Sequence, residues 1–171
     1  MDVFYYWKEF EENVENDMLG RFVSSKPQIE KLKDRYPGYI WAFMIPKGRG
    51  GQRGEGNCKL KLLARLKWSD TPLRRLKPTE KSKPKSEIYY DHTADDSIFY
   101  EGTDSDEALD LVTGLMRAKF FPAFRSNFRG VNGVQVMEKA LVDTLSKEVS
   151  HYPSSQFLTG IAKLKSSTYR L

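Results

Sequence analysis

Residues 58–70 read CKLKLLARLKWSD. A period of two places successive side chains on opposite faces of a strand and has no counterpart on a helix. Leu60, Leu62, Ala64, Leu66 and Trp68 are therefore expected on one face, with Lys61, Leu63, Arg65 and Lys67 on the other, a half-buried strand with a basic outer side. Shortly before it, YIWAFMIP at 39–46 is almost wholly apolar and reads as a buried strand. The segment joining them, IPKGRGGQRGEGNCKL at 45–60, carries five glycines and four basic side chains. The two strands are thus hairpin partners, and the glycine loop 47–57 is their tip. Hairpin loops usually run about two to five residues, and longer ones are functional or disordered. This loop is either a tolerant connector or a flexible finger whose arginines close over something negatively charged.

The flanking sequence supplies further elements. VFYYWK is β-branched and aromatic, with Val3, Tyr5 and Trp7 on one face and Phe4, Tyr6 and Lys8 on the other. EFEENVENDMLGRF is weakly helical and ends at Gly20, while SSKPQIEKLKDRYPG starts like a helix, with Ser25 and Gln28 at capping-box spacing. TPLRRLKPTEKSKPKSE is a solvated connection, and EIYYDHTADDSIFYEG holds two short strands around an acidic turn. A helix follows in GTDSDEALDLVTGLMRAKFF, capped by Thr103 or Ser105, with Ala108, Leu109, Val112, Leu115 and Met116 buried. A second long helix is expected over 131–150 with Val134, Met137, Leu141, Leu145 and Val149 inward. A docking helix carrying Phe157, Ile161 and Leu164 closes the chain. The fold class is α+β: one domain over 1–171, with a curved, mainly antiparallel sheet or small open barrel and helices packed against it. Residues 3–76 form its strand-rich part and 103–165 its helical part.

At 171 residues and 19.8 kDa the chain can bury a core of its own. No apolar run approaches the roughly 20 residues a membrane span needs, and MDVFYYWKEFEE has no secretory pattern. Cys58 alone cannot support a disulfide framework, so a cytoplasmic setting is expected. The charge is sorted along the chain. Residues 47–85 hold thirteen Lys/Arg against three acidic residues, a net +10, and 86–110 hold nine Asp/Glu and no Lys/Arg. Such asymmetry suits a surface for a polyanion, unless the two blocks face one another.

No catalytic signature is present: there is no GxSxG, Walker loop, CxxC pair or HExxH. Asp91, His92, Asp95 and Asp96 could ligate a divalent ion, yet they lack a second histidine at ligand spacing and read as a solvated acidic turn. No metal and no cofactor are implied. RAKFFPAFRSNFRG interleaves Phe120, Phe121, Phe124 and Phe128 with Arg117, Lys119, Arg125 and Arg129. Rings to stack and guanidinium groups for phosphate are what a single-strand site uses, although four phenylalanines between helices also read as core. Trp7, Trp41 and Trp68 each fall on an expected strand and would line one pocket if those strands were neighbours, or else fill a barrel core.

YYWK, GRFVSS, YPGYIWAFMIP and LKLLARLKWSDTPLRRL, in that order over residues 3–76, resemble EVE-type domains of the PUA-like superfamily. The resemblance implies a small barrel that binds modified nucleobases, while the later helices depart from that family's ending. The expected function is a non-catalytic nucleic-acid-binding module for DNA or RNA, a reader of modified bases on the family's pattern. Arg49, Arg53, Arg65, Lys67, Arg74, Arg75, Arg125 and Arg129 are the expected phosphate contacts. Tyr6, Trp7, Trp41 and Trp68 are the expected stacking pocket. One alternative is a protein-binding adaptor or inhibitor using the acidic 86–110 segment; another is a metal-dependent nuclease. No membrane partner is expected.

Overall fold

The computed structural model of the chain describes residues 1–23, 32, 38–52, 54–76, 78, 80, 87–129 and 134–168. The helix expected from Ser25 falls outside the described residues except for Leu32, which is helical and buried. In chain order the elements are β1 (Asp2–Tyr6), α1 (Phe10–Glu15), β2 (Arg21–Val23), β3 (Tyr39–Met44), β4 (Lys61–Ser69), β5 (Glu87–Asp91) and β6 (Ile98–Tyr100). Then follow α2 (Asp106–Arg117), α3 (Phe121–Arg125), β7 (Val134–Met137), α4 (Lys139–Val149), β8 (Ser154–Gln156) and α5 (Phe157–Thr168). The strands form one curled sheet, a half-barrel, in the order β2-β5-β4-β3-β1-β7, with β6 beside β4 and β8 beyond β6.

The α+β class expected from the sequence is the one observed, but the sheet is mixed rather than mainly antiparallel. β1 lies parallel to β3, from Val3↔Ile40 to Tyr6↔Phe43. Only a tight hairpin forces neighbouring strands to be antiparallel, and the long connection from β1 through α1 and β2 permits a crossover. β3 and β4 do form the expected antiparallel hairpin, from Tyr39↔Lys67 to Met44↔Lys61.

Both faces of the sheet are covered. Val3, Trp7, Ile40, Ala42, Ala64 and Leu66 pack with Phe10 and Val14 of α1 and with Phe157 and Ile161 of α5. On the opposite side Phe4, Trp41, Phe43, Leu60 and Leu62 meet Val112 and Met116 of α2, Phe124 of α3, and Leu141, Leu145 and Val149 of α4. The alternation expected for β1 is therefore realised. In β4 it is interrupted: Ala42 pairs with Ala64 but Phe43 with Leu62, so Leu63 is an extra residue opposite one step of β3. This bulge swaps the faces. Leu60 and Leu62 point to the α2–α4 side, while Leu63, Ala64 and Leu66 point to the α1/α5 side. The expected single basic outer face is corrected accordingly, because Lys61 precedes the bulge and lies on the opposite face from Arg65 and Lys67.

The long helix expected over 131–150 is also corrected. The described helix is α4, while Val134–Met137 is the edge strand β7, antiparallel to β1 from Asp2↔Met137 to Tyr5↔Val134. Val134, Met137, Leu141, Leu145 and Val149 are all buried as expected. Their spacing fits a helix by coincidence. VQVM is β-branched at two positions, and pairing with β1 satisfies backbone groups that an extended helix would have left on the sheet edge. Ser105 caps α2 as expected, its hydroxyl accepting from the Ala108 N–H at 3.2 Å. α5 docks closely on β6: a Cβ at Gly160 would lie 2.6 Å from Cβ of Phe99.

Candidate nucleic-acid interface

The glycine loop is not detached from the body of the protein. The Gly54 N–H donates to the Arg125 carbonyl at 3.2 Å, and the Lys59 N–H donates to the Arg49 carbonyl at 2.9 Å, closing the loop on itself and on α3. Gly56, with φ +65°, lies flat against α3, where a Cβ would come 3.1 Å from Cε2 of Phe121 and 3.5 Å from Cγ of Arg125. Just beyond it Cys58 is buried with its thiol 3.8 Å from the Phe124 carbonyl, and burial pushes that thiol above its ordinary pKa. The Leu60 N–H is satisfied by the Thr113 hydroxyl of α2 at 2.9 Å. The loop and the RAKFFPAFRSNFRG segment, far apart in sequence, are thereby brought to one face.

That segment divides its rings. Phe120, Phe124 and Phe128 enter the core beside Phe4, with centroids 5.0 Å apart for Phe4–Phe120 and 5.6 Å for Phe4–Phe128. Asn127 and Phe128 both take left-handed backbone, φ +51° and +60°, which is uncommon for residues with a Cβ. The reversal turns Phe128 inward to stack on Tyr6 at 4.8 Å and leaves Arg125 and Arg129 exposed. Phe121 stays outside at 41% exposure, with the Arg117 guanidinium carbon 5.3 Å from its ring centroid. Sequence reasoning named Phe121 and Arg117 in the cluster without choosing them for the site. The available signal was that Phe120, Phe124 and Phe128 keep a spacing of four, from which Phe121 departs.

The remaining expected contacts are scattered. Arg49 pairs with Asp106, and Lys59 Nζ with Asp110 at 2.8 Å, so part of the basic block does face the acidic one. Arg65 lies 4.4 Å over the Tyr39 ring and donates to the Asp96 carbonyl at 3.3 Å. Tyr39 in turn donates to the Asp96 carboxylate at 2.8 Å, which holds that carboxyl below its usual range and the phenol above its own. Arg74 forks onto Glu80 at 2.6 and 3.0 Å and reaches the Leu19 carbonyl. Lys67 and Arg75 are exposed away from the glycine loop's own contacts, and Arg53 lies outside the described residues.

The expected stacking residues do not share a pocket. Trp7 and Trp41 are each 1% exposed and lie on opposite sides of the sheet. Trp7 donates its indole N–H to Asn13 at 2.9 Å, and Trp41 to Asp2 at 2.8 Å. Trp68 is half-buried on the Trp7 side, its indole N–H 3.3 Å from Asp70, and Tyr6 is occupied by Phe128.

The acidic turn is built from separate contacts. Asp91 accepts from the Thr93 hydroxyl at 2.7 Å, Asp96 faces Tyr39, and His92 Nδ1 lies beside Gly20, where a Cβ would come 3.1 Å from it. Burial lowers the His92 pKa, against the opposing pull of Asp91. Among the described residues no group of three or more His, Cys, Asp or Glu is arranged to hold a metal ion. Nor, among those residues, is any helix long and apolar enough to cross a membrane. No family model, curated protein or solved structure matches the chain.

Proposed function

We propose that this protein binds nucleic acid without chemically altering it, using the face where the glycine loop meets α3. One observation carries the reading: docking of Gly54 and Gly56 on α3 brings the glycine loop against Arg125 and the exposed Arg117–Phe121 pair. A backbone rich in glycine can follow a phosphate chain closely, and exposed guanidinium groups supply charge-assisted contacts to it. The Arg49–Asp106 pair does not oppose this use. Its side chains are 44% and 77% exposed, and an exposed ion pair is worth about 0–1 kcal/mol, so a phosphate can replace the carboxylate at little cost. Recognition of a modified base rests on the likeness of residues 3–76 to EVE-type domains. With Trp7 and Trp41 in the core, base selection would fall to other side chains.

The adaptor reading is less well supported because Glu87 is buried against Arg21 and the Asp96 carboxylate accepts from Tyr39. The exposed pairs of Glu101 with Lys163, Asp106 with Arg49 and Asp110 with Lys59 weigh little against either reading. Replacing residues 48–56 with an Asn-Gly turn removes the loop's contact with α3 and leaves the β3–β4 pairing in place. The variant is expected to retain its far-ultraviolet circular dichroism and to bind mixed-sequence DNA and RNA more weakly at low salt. Unchanged affinity at every salt concentration would refute the assignment of this face, and capture of a protein with no binding to nucleic acid would favour the adaptor.

A further inference from the structure

Phe121 is the large apolar side chain that the interface exposes. It stands apart from its three neighbours, which are all in the core. Its position is held on two sides. The Arg117 guanidinium lies 5.3 Å from the ring centroid, and a ring edge rests on Gly56, the position where a Cβ would come to 3.1 Å. Gly56 has φ +65°, a left-handed conformation that favours glycine, so the backbone leaves this room without strain. Arg125 follows one helical turn after Phe121 and also lines Gly56, and Arg129 is exposed where the chain turns after α3. Glu55 is the acidic side chain of this part of the loop, and Asn57 Nδ2 donates to it at 3.3 Å.

We infer that Phe121, backed by Arg117, is a base-stacking platform and that the ligand of this face is single-stranded nucleic acid. The inference rests on the nucleic-acid reading above and makes it more specific. A duplex keeps its base faces stacked inside and offers an exposed ring only phosphate and sugar. An unpaired strand offers a π-face from any base, and sequence-tolerant sites for such strands combine aromatic platforms with arginines for the backbone. A ring already positioned by Arg117 and Gly56 loses little conformational freedom on stacking. Charge complementarity favours a polyanion over an apolar peptide or a neutral lipid surface, since Arg117, Arg125 and Arg129 are all exposed here.

The test compares fluorescein-labelled oligothymidylate and oligouridylate with a duplex of equal length, by fluorescence anisotropy. Phe121→Ala is expected to weaken binding of the single strands by about 5- to 100-fold and to change duplex binding less than about twofold. Phe121→Tyr should restore single-strand affinity, and Phe121→Leu, which keeps an apolar side chain without a π-face, should not. A urea midpoint for each variant close to that of wild type shows that the fold is retained, and the Tyr–Leu comparison decides the matter if the alanine variant is unstable. Equal losses on single strands and duplex, or full affinity in Phe121→Leu, would overturn the platform while leaving nucleic-acid binding standing. Absence of binding to every probe by the wild type would instead overturn the reading on which the platform rests. Affinity of this face for anionic vesicles or a protein, insensitive to competing oligonucleotide, would overturn both.

Discussion

Replacing Trp41 distinguishes a core tryptophan from a stacking one. Its ring is 1% exposed between β3 and the α2–α4 layer, 6.4 Å from Tyr100, and its indole N–H reaches the Asp2 carboxylate at 2.8 Å. The same carboxylate accepts from the Tyr39 backbone N–H at 3.2 Å, so Asp2 links β1 to the start of β3. Trp41→Ala removes a buried ring that the surrounding sheet cannot close over, which typically costs about 3–5 kcal/mol. Trp41→Phe keeps most of the apolar volume and removes the hydrogen bond to a charged acceptor, a loss of about 1.5–3 kcal/mol. A double-mutant cycle of Trp41→Phe with Asp2→Ala should give a coupling of about 0.5–3 kcal/mol, because the two changes delete the same contact. Equilibrium urea unfolding followed by circular dichroism measures all of these. The reasoning fails if both Trp41 variants unfold like wild type, or if the coupling is zero while Trp41→Ala loses affinity for one base alone.

Gly160→Ala should destabilise the protein. The helix gains about 1 kcal/mol from the substitution, but overpacking costs about 1–3 kcal/mol. The upper part of that range applies because the new methyl would meet Cβ of Phe99, which cannot swing aside; an unchanged or higher melting temperature would contradict this docking of α5 on β6. His92 should make stability depend on pH. Burial lowers its pKa in the folded state, so its contribution is fully present above the unfolded value of about 6.5 and is lost as pH falls from there toward the folded value. His92→Leu should flatten that part of the urea-midpoint profile, and an unchanged slope would assign it to another group.

The hairpin of β3 and β4, the two faces of β1, the Ser105 cap and the inward residues of α2 and α5 were legible in the sequence because local pattern and burial agree there. β7 was not, since Val134, Met137 and Leu141 satisfy helical spacing whether or not the first two are helical, and only the free edge of β1 decides between them. The Leu63 bulge was equally hidden, because CKLKLLARLKWSD offers apolar residues to both faces and one inserted residue leaves each half of the pattern intact. At the candidate interface the basic and aromatic residues could be read from composition, but their partners could not. Arg74 is occupied by Glu80, and Arg65 by Tyr39 and Asp96. Trp41 lies on a strand as expected, whereas Trp7 follows the end of β1 at Tyr6, and their separation follows from β1 and β3 being in parallel register, Phe4 opposite Trp41. That pairing sends Trp41 to the face of Phe4 and away from that of Trp7.

The most direct measurement is the salt dependence of nucleic-acid affinity for the wild type and for Arg125→Ala with Arg129→Ala. Binding through phosphate contacts releases counterions, so the logarithm of the association constant should fall steeply and linearly with the logarithm of salt concentration. Removing two contacts should reduce the magnitude of that slope by about one to two, and the loss should be similar across sequences, since phosphate contacts position a strand without specifying it. Anisotropy titrations at several potassium chloride concentrations give both slopes. A steep wild-type slope that becomes shallower in the double variant is the predicted result; a flat wild-type slope, or identical slopes in the two proteins, would contradict nucleic-acid binding at this face.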